Sequence, residues 1–288
     1  SSQTNRNRQH TGSSHSSQIT VSSPTENRDG RSSTGCGLRS HALHESSTRI
    51  QNDKSAAGYS RLNLYPIVAD LCVMSSTDRL VEDAENEWLE IWVAGPGDKR
   101  SDPLNPGNSA PDLELLDHTG TPRKLSSFWS DGPALLMFWR HFGCGCGLDR
   151  ASRLSEEYAD YLDAGINPVI IGQGEPERAA EYRDKYGISC PILCDPEYTV
   201  YSAYGLGNFG LEQVLYDAPE ETWCHSKEIG LDFQEARRAI NRPLVDNPWM
   251  STGEFLVDSS GTVRTTYAYQ YCSDYPDARV FTTAAKIL

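Results

Sequence analysis

No stretch of this 288-residue chain comes near eighteen consecutive apolar residues. The longest run, PALLMFW from Pro133 to Trp139, has the length of a strand, so no membrane span is expected. The chain opens without the positive, apolar and small-residue succession of a secretory leader. Positive charge is scarce too. Beyond residue 73, eighteen Lys or Arg stand against thirty-five Asp or Glu, a balance of about −17 within a total of −14. Nucleic acid and anionic membranes require clustered cations, so neither is expected as a partner. Such acidity suits a soluble protein in concentrated salt. Eight cysteines in a chain of this length do not make a disulfide scaffold. A reducing cytoplasm is expected, where grouped cysteines read as catalytic, redox-sensing or metal-binding.

What is present divides into two kinds of sequence. Residues 1–73 carry eight Lys or Arg and five Asp or Glu, and the first sixty are dominated by Ser, Thr, Asn, Gln, Arg and Gly without periodicity. Such a segment buries too little apolar surface to offset its ordering entropy, so residues 1–73 are expected to be a disordered tail. The first methionine is Met74, where the acidic composition begins. One expectation is therefore that translation starts there and that the tail is not native; the other is a flexible tail of unknown use. Residues 74–103 read as an N-terminal helix, with apolar positions at Leu80, Val81, Ala84, Trp88, Leu89 and Trp92, followed by the linker GPGDKRSDPLNPGN.

Residues 104–288 read as one α/β domain with an insertion at about 206–250. APDLELLDHTGTPRKL gives two short strands around a turn, and Ala134 to Trp139 a buried strand. LDRASRLSEEYADYLDAG is an amphipathic helix closed by Gly165. NPVIIG, EPERAAEYRDKYG and CPILC continue as strand, helix and strand, which makes parallel βαβ units. The insertion holds one expected helix near Phe233 to Ile240. EFLVD and TVRTTYAY form a hairpin, and PDARVFTTAAKIL closes the chain as a helix. This order is that of a thioredoxin-like sandwich, a central mixed sheet flanked by helices.

Several of these stretches resemble one family. APDLELLDHTGTPRKLSSF resembles the opening of the alkyl hydroperoxide reductase/thiol-specific antioxidant (AhpC/TSA) superfamily. RHFGC after a buried strand resembles its peroxiredoxin-like branch, whose usual form is RHFGCxxC. PILCDPEYTVYSAYGL and GEFLVDSSGTVRTTYAYQYCSDYPD are similar to later segments of the same proteins. The resemblance covers roughly residues 104–288. It implies a peroxiredoxin-like thiol oxidoreductase with antioxidant activity, in which Cys144 attacks a peroxide or disulfide. It implies a thioredoxin-type or small-dithiol reductant, no bound organic cofactor, and a chain able to form a homodimer. Two departures are visible. Gly147 stands where the second cysteine of CxxC falls, with Cys146 one place earlier. His141 and Met137 occupy the Thr and Pro positions of the usual PxxxTxxC pattern.

The loop FWRHFGCGCGLDR carries the chemistry under this resemblance. A thiolate is the attacking species, and a loop entering a helix favours an anion through its unsatisfied N–H groups. Arg140 and His141 are candidates to add positive charge. Gly143, Gly145 and Gly147 keep the loop open. Trp139 and Phe142 are candidate walls. Cys146 is the nearest candidate resolver, through a small Cys-x-Cys ring expected to be strained and readily reduced. Cys190 and Cys194 read as core residues, about four strand steps of ~3.3 Å apart. Cys224 and Cys272 are more distant candidate resolvers. Two other readings stay open: inert small residues in a turn, or a non-catalytic module binding zinc, iron or a protein partner, with His141, Cys224 or His225 completing a metal shell. GQGEPE lacks the lysine of a phosphate loop. Asp195 and Asp258 read as turn formers, and Arg264 as a candidate active-site cation by analogy.

Overall fold

The computed structural model describes residues 76–140 and 144–288. The expected tail and the start at Met74 lie outside the described residues, as do His141, Phe142 and Gly143.

Seven strands form one mixed sheet in the order β2-β1-β5-β4-β3-β6-β7. They are β1 (Glu114–Asp117), β2 (Pro122–Lys124), β3 (Ala134–Phe138), β4 (Asn167–Gly172), β5 (Ile192–Cys194), β6 (Gly253–Val257) and β7 (Val263–Ala268). The helices are α1 (Ser76–Ala94), α2 (Gly145–Asp163), α3 (Pro176–Tyr186), α4 (Thr199–Ala203), α5 (Leu211–Val214), α6 (Lys227–Arg238) and α7 (Arg279–Ala285). The centre, β3 to β4 to β5, is parallel, as the alternating strands and helices require. The outer neighbours β6 and β1 run antiparallel to it.

The continuous apolar run of β3 follows from its burial on both faces. Leu135 and Met137 face one core with Leu154 and Tyr161 of α2, Tyr182 of α3 and Phe281 of α7. Ala134, Leu136 and Phe138 face the other, with Phe128 of the 3-10 turn Leu125–Phe128 and Val200 and Tyr201 of α4. Because side chains alternate along a strand, one short segment sets both layers. β3 ends at Phe138 and α2 begins at Gly145, so the cysteine loop sits at the exit of the central strand.

The insertion departs from its expected form. Its main helix is α6, Lys227–Arg238, starting six residues before the expected Phe233. The start is fixed by Ser226, whose hydroxyl accepts a hydrogen bond from the Ile229 N–H at 3.3 Å. Gly230 sits inside the helix because α1 comes so close: a Cβ there would lie 2.5 Å from Leu89 Cδ1 and 2.8 Å from Trp92 Cδ1. The helix and the N-terminal segment thus share a third core of Trp88, Leu89, Trp92, Leu215, Leu244 and Trp249. Trp92 stacks between Trp88 (centroids 5.5 Å apart) and Trp249 (4.7 Å). Arg238 Nε pairs with Glu85 Oε2 at 2.9 Å and strengthens the same seam.

Candidate active site

Cys144 is the N-cap residue of α2, with extended backbone (φ −66°, ψ 141°), and among the described residues no side chain caps the helix there. The first-turn N–H groups of α2 are therefore left to whatever anion forms at this position. A disulfide joins Cys144 to Cys146, with Cα atoms 5.3 Å apart. The two sulfurs are not equivalent. Cys144 is half-buried, whereas Cys146 is 7% exposed and belongs to an apolar cluster with Phe209, Tyr269 and Cys272.

Three arginines converge on this pair, two of them from the insertion. Arg242, buried, donates a hydrogen bond from Nη2 to the Cys144 carbonyl. Arg237 lies over Gly145, where an added Cβ would be 3.3 Å from Nη2; the missing side chain lets the guanidinium approach. Burial, and then the neighbouring charge of Arg242, pull the Arg237 pKa down. Among the described residues neither Arg237 nor Arg242 has an ion pair with a carboxylate. Arg140, expected from sequence as a source of charge, is 4% exposed and donates from Nη2 to the Pro248 carbonyl at 2.5 Å. It lines both cavities that Cys146 lines. The larger of these, about 390 Å³, is walled by Trp88, Trp92 and Phe233 and holds Cys144, Cys146 and Cys272 at its surface. Trp139 lines the smaller.

Beneath the pair lies a buried ionic anchor. Arg150, two helical residues past the disulfide's first turn, bonds Glu254 Oε1 of β6 through Nε at 2.9 Å and Glu157 Oε2 through Nη1 at 2.9 Å. Glu254 has no exposed surface and also accepts from Tyr269 Oη at 2.6 Å. Burial works against the Arg150 charge, but Glu254 more than compensates and holds its pKa well above the ordinary arginine value. The anchor fixes the first turns of α2 to the sheet and thereby fixes Cys146. Tyr275, kept neutral because burial raises its pKa to about 12, donates to the Cys146 carbonyl at 2.5 Å.

The remaining expected residues fall elsewhere. Cys190 and Cys194 are in the core under β5, and burial pushes each thiol up to about 12. Arg264, expected as an active-site cation, lies elsewhere: it pairs with Asp258 Oδ2 at 2.5 Å beside Val263, which opposes Val257 at the end of the hairpin remote from the site. The site end is marked by Gly253, which opposes Phe138. His225 is held by the Val93 carbonyl at 3.0 Å from Nδ1. Among the described residues, no three His, Cys, Asp or Glu side chains gather into a metal-binding group. Sequence reading missed Arg237, Arg242, Glu254 and Tyr275. One signal was present: Arg237, Arg238 and Arg242 crowd into six positions of an otherwise Lys- and Arg-poor domain.

A mixed sheet with a Cys-x-Cys centre where its central strand passes into a helix defines a thioredoxin-like protein. The model of the AhpC/TSA family matches residues 106–266, more than half of the chain, and the chain belongs to that family. A Mycobacterium tuberculosis protein that carries the name peroxiredoxin is 30% identical over 102 residues, 35% of this chain and 64% of that protein. The thiol-disulfide oxidoreductase ResA of Geobacillus thermodenitrificans is 29% identical over 102 residues, 35% of this chain and 58% of ResA. The chain thus spans less than two thirds of these relatives. The crystal structure of peroxidoxin BcpB from Mycobacterium tuberculosis is similar at a TM-score of 0.47 and 19% identity, covering 64% of this chain and 98% of that one.

Proposed function

We propose that the protein is a peroxiredoxin-like thiol–disulfide oxidoreductase in which Cys144 attacks a peroxide or a disulfide and Cys146 resolves the product. The observation that carries this reading is the placement of Cys144, the more exposed of the two cysteines, at the start of α2 with the Cys146 sulfur within bonding reach. With a peroxide, the Cys144 thiolate takes the distal oxygen as the O–O bond breaks, giving a sulfenic acid and an alkoxide that is protonated to the alcohol. The Cys146 thiol then displaces hydroxide, which leaves as water, and forms the disulfide. With a disulfide substrate, the same two thiols are oxidised as the substrate is reduced to two thiols. A thioredoxin-type or small dithiol returns the pair to the reduced state, which suits a reducing, cytoplasmic setting.

The arginines have a defined part in this reading. Arg242 and Arg237 place positive charge beside the attacking sulfur and favour its thiolate. Arg140 faces the resolving side. His141, adjacent in sequence, is retained as a candidate activating group. The test is limited oxidation of the reduced protein with less than one equivalent of hydrogen peroxide or a small disulfide, followed by alkylation and mass spectrometry. Rapid, selective loss of the Cys144 thiol is the expected result. Equal reactivity of all eight cysteines, or zinc released by a thiol reagent, would sink the proposal.

A further inference from the structure

Cys272 lies in the turn after β7, far from the cysteine loop in sequence, yet it shares the apolar cluster of Cys146 and Cys144. Both cavities that Cys146 lines are also lined by Cys272. Its backbone N–H is fixed by the Gln213 carbonyl at 3.0 Å, and its sulfur sits 3.7 Å from the Val214 carbonyl, so the insertion holds it facing the site. Cys224, by contrast, lines neither cavity.

Arg140 supplies an independent reason to assign this cysteine a chemical role. Its guanidinium is buried, and among the described residues Nε has no hydrogen-bond partner and no carboxylate pairs with it. A buried cation without a counter-charge is strongly unfavourable. Burial lowers the Arg140 pKa, and the neighbouring Cys272 side chain opposes that shift. The Cys272 side chain thus lies against the Arg140 guanidinium and in one cluster with the disulfide, and a cysteine attacks a disulfide as its thiolate.

We propose that Cys272 is a third member of the redox centre and relays the oxidation away from Cys144. This step rests on the reading above. The Cys272 thiolate attacks Sγ of Cys146; the Cys146–Cys272 bond forms and the Cys144–Cys146 bond breaks. Cys144 leaves as a thiolate. No oxidant is consumed, because one disulfide replaces another, and the only proton that moves is the one the Cys272 thiol gives up to solvent before it attacks. The negative charge passes from the side of Arg140 to the side of Arg242, Arg237 and the start of α2. That direction follows from the leaving group: a sulfur at a helix N-terminus among cations departs more readily. Cys144 is then free for a second attack while an external dithiol reduces Cys146–Cys272.

The experiment oxidises the reduced full chain with one equivalent of hydrogen peroxide, quenches with acid at intervals, alkylates with N-ethylmaleimide and maps disulfides by non-reducing digestion and mass spectrometry. The expected sequence is a Cys144–Cys146 peptide first, then a Cys146–Cys272 peptide with Cys144 alkylated again. In Cys272→Ser, and in Cys272→Ala as a second variant, all oxidised protein should remain as Cys144–Cys146. If wild-type protein loses the Cys144 thiol selectively and only Cys144–Cys146 is recovered, the relay is overturned and the parent reading stands. If Cys144 is never oxidised, both are overturned.

Discussion

Arg242 reaches ninety-eight residues back along the chain to donate its hydrogen bond to the carbonyl of Cys144. A cation from the insertion is thereby fixed at the backbone of Cys144, the residue that opens α2. Arg242→Leu removes both the bond and the charge. The rate of Cys144 alkylation by iodoacetamide at neutral pH should fall by about tenfold, since a nearby cation raises the thiolate fraction by roughly that much or more. An unchanged rate would mean that the helix terminus alone activates the thiol.

Glu254→Gln should destabilise the fold by about 3–5 kcal/mol, because it leaves the buried Arg150 without its main counter-charge. Both side chains are almost fully buried, at 2% and 0% exposure. Urea denaturation measures the loss. A change below about 1 kcal/mol would place the support of α2 in packing and not in this pair.

Gly230→Ala introduces a methyl group into space already occupied by Leu89 and Trp92. Overpacking of this kind costs about 1–3 kcal/mol. The strain falls on the seam between α1 and α6, so limited proteolysis should cut α1 faster in the variant while β3 to β5 stay protected. Equal cleavage in both proteins would count against the tight seam.

Burial of Cys190 raises its thiol from 9.0 to about 12, so the folded state favours the neutral form. The contribution to stability is complete below pH 9 and is lost as the pH rises through 12. Native protein should therefore resist alkylation at Cys190 at pH 8 and accept it once denatured. Cys190→Ala should show a shallower loss of stability between pH 9 and 12, followed by circular dichroism.

The parts of the fold written in local pattern were legible from sequence. PALLMFW and NPVIIG read as buried strands because both faces of β3 and β4 are covered, and Gly165, which takes a positive φ of 72°, marked a helix end. Local pattern failed in the insertion. The expected Phe233 to Ile240 covers only the C-terminal end of α6, because the Ser226 cap that starts the helix was passed over and the close approach of α1 at Gly230 is a tertiary contact. In the site, Cys144 and Cys146 were legible because they are neighbours. Arg242, Glu254 and Tyr275 were not, since each acts across about a hundred residues and no periodicity records such a meeting. Arg264 was misread by analogy: residue spacing does not say which end of a hairpin faces the cysteine loop, and the strand register does.

The stacked Trp88, Trp92 and Trp249 have a consequence for how the molecule is partitioned. α1 precedes the stretch shared with the family, yet its tryptophans form one wall of the chamber above the sulfurs. The reactive atoms and the doorway to them are thus written in separate parts of the chain. A version beginning at residue 106 would keep its thiols and lose the frame of that doorway, so ancestry and admission are set independently.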